Sequence, residues 1–373
     1  MSRSRVLVFA DWFVPGYKAG GPIKSLKNLI AAVPCDFHVY TRITDYHSTV
    51  PYIGIVEGTF NKVSENCTVV YVHEDRMNVR SVFSILKKET YDQIYLNSLF
   101  SVRFTLIPLL ICRTHGLNPQ VIVAPRGMLK SGALTVKPWK KTVFLKLCKF
   151  LYAGVTWHAT NEQERREILG KFPKAKVIVA PVIPSSDPPK PLLQEKAPGR
   201  LKLVTFSRIS SEKGILEAIR WVNDLPVELD VCFDIYGAMP AGEYLNLCIK
   251  EAEKANRVSL KGEVNPSQIT GIYSQYEVFF LPTWGENYGH AIAEALLSKK
   301  PVIISNRTPW RNLYESKAGF DVELSRENIF DALIFMASLN QETYQIWCEG
   351  AFAYAQKVLN DPFVVRANQS LFE

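Results

Sequence analysis

Two carboxylates, Glu286 and Glu294, bracket the segment Glu286-Asn-Tyr-Gly-His-Ala-Ile-Ala-Glu294. An ionised carboxylate only accepts hydrogen bonds, so a pair placed this way suits a ligand rich in hydroxyls. Gly285 and Gly289 are expected to give the backbone conformations that other residues resist, and to let a ligand come close. The N–H groups of Asn287, Tyr288, Gly289 and His290 would belong to a helix start. They would be unpaired within the helix and suited to phosphate or sugar oxygens, and His290 could donate to a phosphate as well. Glu286 lies in the loop. Glu294 lies about one and a half turns into the helix, where it could reach a second pair of hydroxyls such as those of a ribose. The plain alternative is a solvated helix start with two surface glutamates.

Positive charge comes from Ser207-Arg208 and Glu212-Lys213-Gly214. Arg208 is expected at the end of a strand and Lys213 at the start of a helix. That is the carboxyl end of the strand, where ligands bind in open α/β sheets. Arginine can clamp a diphosphate with two parallel hydrogen bonds, and lysine adds a point charge. Both would stabilise a departing nucleoside diphosphate. In the first half, Gly20-Gly21 precede Pro22, which fits the first turn of a helix and allows a phosphate to approach. The spacing is not that of a P-loop. Arg126-Gly127 end another first-half strand, where Arg126 could meet an anionic or sugar group and Gly127 permits a tight turn. His158 reads better as a packed histidine than as a catalytic one. The other histidines lack metal-ligand spacing, and no zinc cluster is expected.

These residues need strands and helices to hold them. Strands are expected near 5–10, 37–41, 68–73, 93–97, 121–124, 155–159 and 176–180, with helices between most of them. The alternation restarts near 201–206, 229–236, 257–260, 277–281 and 301–304. Such alternation predicts parallel sheets covered by helices on both faces. The richest proline cluster, Pro181 to Pro198, reads as a linker. The expected organisation is an N-terminal domain over 1–184, a linker over 185–199 and a second domain over 200–341. A C-terminal helix over 342–373 is expected to return to the first domain.

Composition narrows the classes. At 47% hydrophobic and 21% charged the chain is globular. No uncharged apolar run reaches the roughly eighteen residues needed for a spanning helix. Val6-Leu-Val-Phe-Ala followed by Asp11 reads as a core strand rather than a signal peptide. Seven scattered cysteines without a C-x-x-C pair fit a reducing cytoplasm. A net charge of +8 implies an anionic partner: nucleotide phosphates, a lipid diphosphate, a membrane surface or nucleic acid. No aromatic–basic motif of an RNA-binding module appears, so nucleic acid is not the expected partner. Residues 137–152 carry an apolar stripe (Trp139, Val143, Phe144, Leu147, Phe150, Leu151) with Lys141, Lys146 and Lys149 mostly opposite. This is either a core helix with a solvated basic face or a helix lying on an anionic membrane.

Taken together, the motifs resemble the retaining glycosyltransferases of family four, the "glycosyl transferases group 1" type with the GT-B fold. Glu286 to Glu294 is similar to the family's Glu-x7-Glu motif, Arg208 and Lys213 to its diphosphate pair, and Gly20-Gly21 to its N-terminal glycine loop. The resemblance implies two Rossmann-like domains facing a cleft, the first (1–184) binding the acceptor and the second (200–341) the nucleotide sugar, with that donor in place of a cofactor or metal. By the resemblance, Glu286 would bind sugar hydroxyls, Glu294 the ribose, and Arg208 with Lys213 the leaving diphosphate. Amides around Asn287 to Gly289 would assist, and Arg126, Gly127 and His290 would touch sugar or acceptor. Transfer would retain anomeric configuration, with a glycan or polyprenyl-diphosphate-linked acceptor in exopolysaccharide or other surface polysaccharide synthesis. The enzyme would be cytoplasmic, at the inner face of the membrane. An epimerase or phosphorylase on the same fold is the alternative. The sequence departs from the family at the first-domain loop, where Arg126 stands and a histidine is usual. It departs again at Asn287, where glycine is usual and asparagine is expected to keep the turn.

Overall fold

The computed structural model describes residues 3–116, 119–130, 148–185 and 195–373. The chain divides into two compact units. One comprises Met1–Ser185 with Asp361–Glu373, the other Ser186–Asn360.

The first unit is built on eight strands: β1 (Arg5–Phe9), β2 (Asp36–Arg42), β3 (Phe60–Ser64), β4 (Cys67–Val72), β5 (Gln93–Leu96), β6 (Gln120–Val123), β7 (Thr156–Ala159) and β8 (Lys176–Val179). Their order is β3-β4-β2-β1-β5-β6-β7-β8. Only β3, an exposed edge strand, runs antiparallel to its neighbour. The central strand β1 shows why helices cover both faces. Val6 and Val8 enter one core and Leu7 and Phe9 the other, as the two-residue period of a strand requires. The described helices here are α1 (Gly21–Ala32), α2 (Val79–Lys88), α3 (Ile107–Thr114) and α4 (Glu162–Lys171). Asn78 caps α2 and Asn161 caps α4, each accepting a backbone N–H of the first turn.

The second unit has six parallel strands: β9 (Arg200–Phe206), β10 (Asp230–Tyr236), β11 (Val258–Gly262), β12 (Val278–Leu281), β13 (Val302–Ser305) and β14 (Gly319–Val322). Their order is β11-β10-β9-β12-β13-β14, so the direction of winding reverses between β9 and β12. Its helices are α5 (Ile215–Asn223), α6 (Glu243–Ala252), α7 (Ile269–Tyr273), α8 (His290–Leu297), α9 (Arg326–Ser338) and α10 (Gln341–Leu359).

The expected single helix over 342–373 is two helices. After α10 the chain breaks at Asn360, and Asp361 caps α11 (Pro362–Gln369) by accepting the Phe363 N–H at 2.9 Å. Pro362 lacks an N–H and fits only the first turn, so it ends one helix and opens the next. Helix α11 belongs to the first unit, where Val364, Leu371 and Phe372 join the core of Val6 and Val8. The Gln93 side chain donates to Phe372 O at 3.1 Å, and Asn368 donates to Pro181 O at 2.8 Å.

Within the expected linker, residues 186–194 lie outside the described residues. Residues 195–199 are part of the second unit. The buried Lys196 ammonium lies 3.9 Å from the buried Glu277 carboxylate, which also accepts from Arg200 Nε at 3.1 Å and from the Lys202 N–H at 2.9 Å. Of the basic segment 137–152, residues 137–147 lie outside the described residues; Lys149–Tyr152 form a helical turn that buries Leu151 and Tyr152. No described helix is long and apolar enough to cross a membrane.

Candidate functional site

In the second unit the loops after β9 and β12 leave the sheet at the point where strand order reverses. An open α/β sheet forms its ligand crevice there. After β9, the Ser207 N–H donates to Tyr236 O at 2.9 Å. Gly237, at φ +146, lies so close that an added Cβ would stand 2.1 Å from Ser207 O. Arg208 is exposed at this end of the strand. The chain then makes a short 3-10 turn over Ser211–Lys213 and enters α5 through Gly214, at φ +66. A Cβ there would stand 2.2 Å from Pro282 O, so only glycine lets the two loops meet.

Glu212 O binds the second loop to the first. It accepts the Trp284 N–H at 2.8 Å and the Thr283 hydroxyl at 3.1 Å. Ser305, at the end of β13, donates to Thr283 O at 2.5 Å, and the Glu286 N–H donates to Arg307 O at 3.2 Å. These bonds bring Lys213 Nζ to 2.5 Å from Glu286 Oε1, with both side chains 17% exposed. The contact is a charge-assisted hydrogen bond between the loops that follow β9 and β12.

Helix α8 starts at Gly289, at φ +82, whose carbonyl accepts the N–H groups of Ile292 and Ala293. Gly289 alone carries the left-handed turn. Gly285 and Asn287 are not among the described residues with positive φ, which corrects the expectation that they supply unusual backbone angles. The reason is local bonding. The Gly285 N–H reaches Thr283 Oγ1 at 3.2 Å and the Glu286 N–H reaches Arg307 O, which holds this stretch in ordinary conformations. Asn287 and His290 are both half-buried.

The Tyr288 carbonyl accepts from Trp310 Nε1 at 2.6 Å, and its ring packs against Trp310 and His290. The Tyr288 hydroxyl is buried with no partner among the described residues, and burial followed by the nearby Glu294 carboxylate pushes its pKa up. Glu294 acts in the same direction on the buried Tyr273 phenol, whose hydroxyl donates to Ala291 O at 2.9 Å. Glu294 therefore sits half-buried on α8, within electrostatic reach of two phenols.

Thr283, Arg307 and Trp310 were not among the residues singled out from sequence. Arg307 follows β13, so the strand-end rule that pointed to Arg208 applies to it too. Its guanidinium lies 4.7 Å from the Trp284 ring centre.

In the first unit, strand order reverses between β1 and β5. Gly20 caps α1 at φ +74, and its N–H donates to Tyr17 O at 2.9 Å. The Asp45 carboxylate pins the preceding loop by accepting the N–H groups of Tyr17 and Lys18. An added Cβ on Gly20 would meet nothing, so φ rather than crowding calls for glycine there. Arg126 and Gly127 follow β6, both with positive φ. Arg126 Nε donates to Asn97 Oδ1 at 2.9 Å and Nη2 to the Tyr95 hydroxyl at 2.8 Å. Asn97 reaches back to Pro22 O at 3.5 Å, linking Arg126 to the glycine loop. His158 is buried between Tyr95 and Ala180 O.

Residues 193–343, most of the second unit, match the model of the family "Glycosyl transferases group 1". Among curated proteins, the chain is 28% identical over 174 residues to the UDP-N-acetylglucosamine–peptide N-acetylglucosaminyltransferase GtfA subunit of Streptococcus pneumoniae, covering 44% of this chain and 34% of that one. It is 32% identical over 104 residues to the GtfA subunit of Streptococcus agalactiae, covering 27% of this chain and 20% of that one. The matches thus span about a third or less of those relatives' own length. Sucrose-phosphate synthase from Thermosynechococcus elongatus has a similar structure, with a TM-score of 0.71 at 15% identity over 99% of this chain and 98% of that one. Anabaena HepE in complex with UDP-glucose gives a TM-score of 0.69 at 16% identity, over 99% and 98%. Two Rossmann-like parallel sheets, each with a reversal of strand order, give this chain the GT-B fold, and residues 193–343 of its second unit match the group 1 glycosyltransferases.

Proposed function

We propose that the protein transfers a sugar, with retention of anomeric configuration, from a nucleoside-diphosphate sugar to a glycan or lipid-linked acceptor in bacterial surface polysaccharide synthesis. The observation that supports this most is the Lys213–Glu286 contact at the reversal of strand order. It sets a cation for phosphate beside a carboxylate for hydroxyls, the two recognition tasks a nucleotide sugar presents. Arg208 and Lys213 hold the diphosphate and take up its charge as it leaves, without a metal. Amides of Asn287, Tyr288 and Gly289 assist at the start of α8, Glu286 holds the donor sugar, and Glu294 holds the ribose. Gly20-Gly21 leave room for a phosphate at the start of α1. The acceptor hydroxyl enters on the face from which the diphosphate departs, with no covalent enzyme intermediate. HepE in complex with UDP-glucose and pneumococcal GtfA in complex with UDP and GlcNAc have similar structures, which favours a uridine diphosphate donor. Work at the inner membrane face, with the 137–152 segment on anionic lipid, completes the proposal.

The test is incubation of the purified protein with labelled UDP- and GDP-sugars, with and without a lipid-linked glycan extract and with a chelator present. Labelled acceptor with the donor's anomeric configuration is the expected product. A free epimerised sugar and no acceptor product would replace this reading with the epimerase alternative.

A further inference from the structure

Arg126 ends a hydrogen-bond chain whose direction follows atom by atom. Ala180 O can only accept, so His158 Nε2, 2.8 Å away, carries a proton. Burial holds His158 neutral, with its pKa lowered to about 3. Its Nδ1 therefore accepts, and takes the Tyr95 hydroxyl proton at 2.7 Å. Burial also keeps the Tyr95 phenol protonated, with its pKa pushed up to about 12. The Tyr95 oxygen has only lone pairs left, and Arg126 Nη2 donates to it at 2.8 Å. The second acceptor, Asn97 Oδ1 at 2.9 Å from Nε, is neutral too.

The guanidinium is always charged and is half-buried here, yet both of its partners are neutral. Among the described residues no carboxylate pairs with it. Glu164 is close in the chain fold, but its carboxylate accepts the Gly127 N–H at 2.6 Å and the Thr160 N–H and hydroxyl at 2.8 and 2.7 Å. The Arg126 backbone, at φ +54, lies in the left-handed region that a residue with a Cβ disfavours, and such residues concentrate at functional sites. A cation fixed in direction by neutral acceptors, with no carboxylate in hydrogen-bond contact among the described residues, and placed beside the β1/β5 reversal is preorganised for an anion.

We propose that Arg126 binds an oxyanion carried by the acceptor saccharide, either the carboxylate of an acidic sugar or a phosphate ester. This rests on the reading of the first unit as the acceptor-binding unit. Tyr95 and His158 are positioning residues that aim the guanidinium.

The test is a thermal-shift titration of the full-length protein with D-glucuronate, glucose 1-phosphate, glucose and, separately, UDP. At least one of the two anions should stabilise the protein saturably where glucose does not, and the arm that does so identifies carboxylate or phosphate. Arg126→Gln should weaken that anion's apparent affinity at least tenfold and leave the UDP shift unchanged. Tyr95→Phe, which keeps the ring but removes the acceptor for Nη2, should weaken it severalfold. Equal anion shifts in wild type and Arg126→Gln, or no anion outperforming glucose, would overturn the proposal. Loss of the UDP shift with the anion pattern intact would instead remove the donor reading and leave Arg126 standing.

Discussion

Lys213 Nζ lies 2.5 Å from Glu286 Oε1, and each side chain is the other's counter-charge before any nucleotide arrives. A diphosphate reaching Lys213 must compete with that carboxylate. Glu286→Gln should therefore bind the nucleoside diphosphate as tightly as wild type or more so, while transfer falls at least tenfold because the carboxylate proposed to hold the donor sugar is lost. Lys213→Ala should weaken nucleoside diphosphate binding by about ten- to hundredfold, the value of a hydrogen bond to a charged group at roughly 1.5–3 kcal/mol. Isothermal titration of both variants checks this. Equal affinity losses in the two would make the pair a strut between loops rather than a binding pair.

Glu294 makes a different demand. It stands a full turn into α8, beside the Tyr273 and Tyr288 phenols, rather than in the loops that carry Lys213 and Glu286. Glu294→Ala should weaken a nucleoside and its diphosphate by the same factor, about tenfold for roughly 1.4 kcal/mol. Lys213→Ala should weaken only the diphosphate. Competition binding with uridine against UDP, and guanosine against GDP, separates the two effects. A Glu294 variant that discriminates between nucleoside and diphosphate would move this carboxylate to the phosphate end.

The sequence revealed the parallel strands because buried β-branched runs alternate with helical periods. It also placed Lys213 at a helix start after one strand and Glu286 in the loop after another. It did not reveal their contact, which depends on Gly214 meeting Pro282 and on Glu212 O bonding the Thr283–Trp284 loop. Those are tertiary facts without a local signature. Strand β3 escaped notice because it is an exposed edge whose apolar residues, Phe60 and Val63, do not alternate cleanly. Helix α9 was not among the expected elements, although Ser325 caps it and Ile329, Ala332, Leu333 and Met336 repeat at helical spacing on its buried side. The turn was assigned to Gly285 and Asn287 as well as to Gly289, since composition alone cannot say which residue takes positive φ once loop carbonyls and hydroxyls satisfy the others.

Two glycines with similar φ should respond differently to alanine. Gly214 combines φ +66 with a Cβ position 2.2 Å from Pro282 O, whereas Gly20 combines φ +74 with open space. Gly20→Ala, at φ +74 and ψ −131 outside the left-handed helical region, should cost only the backbone term, about 1–3 kcal/mol. Gly214→Ala should add a steric term of roughly 1–3 kcal/mol and part the loops that hold Lys213. Urea denaturation with nucleotide binding on the folded variants measures both. Gly214→Ala with wild-type stability and UDP affinity would contradict the contact.

The buried His158 gives the first unit an acid sensitivity of defined sign. Its pKa is lowered to about 3 in the fold, chiefly by burial, and rises to its ordinary value near 6.5 on unfolding. Between those values the unfolded chain holds a proton that the folded chain excludes. The stabilisation is complete above pH 6.5 and is lost as pH falls, at about 1.4 kcal/mol per pH unit. His158→Gln cannot titrate, so its lower starting stability should decline less steeply. From pH 6.5 to 5 the gap between the variants should close by about 2 kcal/mol. Tryptophan fluorescence in urea reports this, because Trp157 is buried next to His158. Parallel decline in both proteins would mean that His158 is charged in the fold. Its Nδ1 would then donate to Tyr95, and the proton order that ends on Arg126 could not hold.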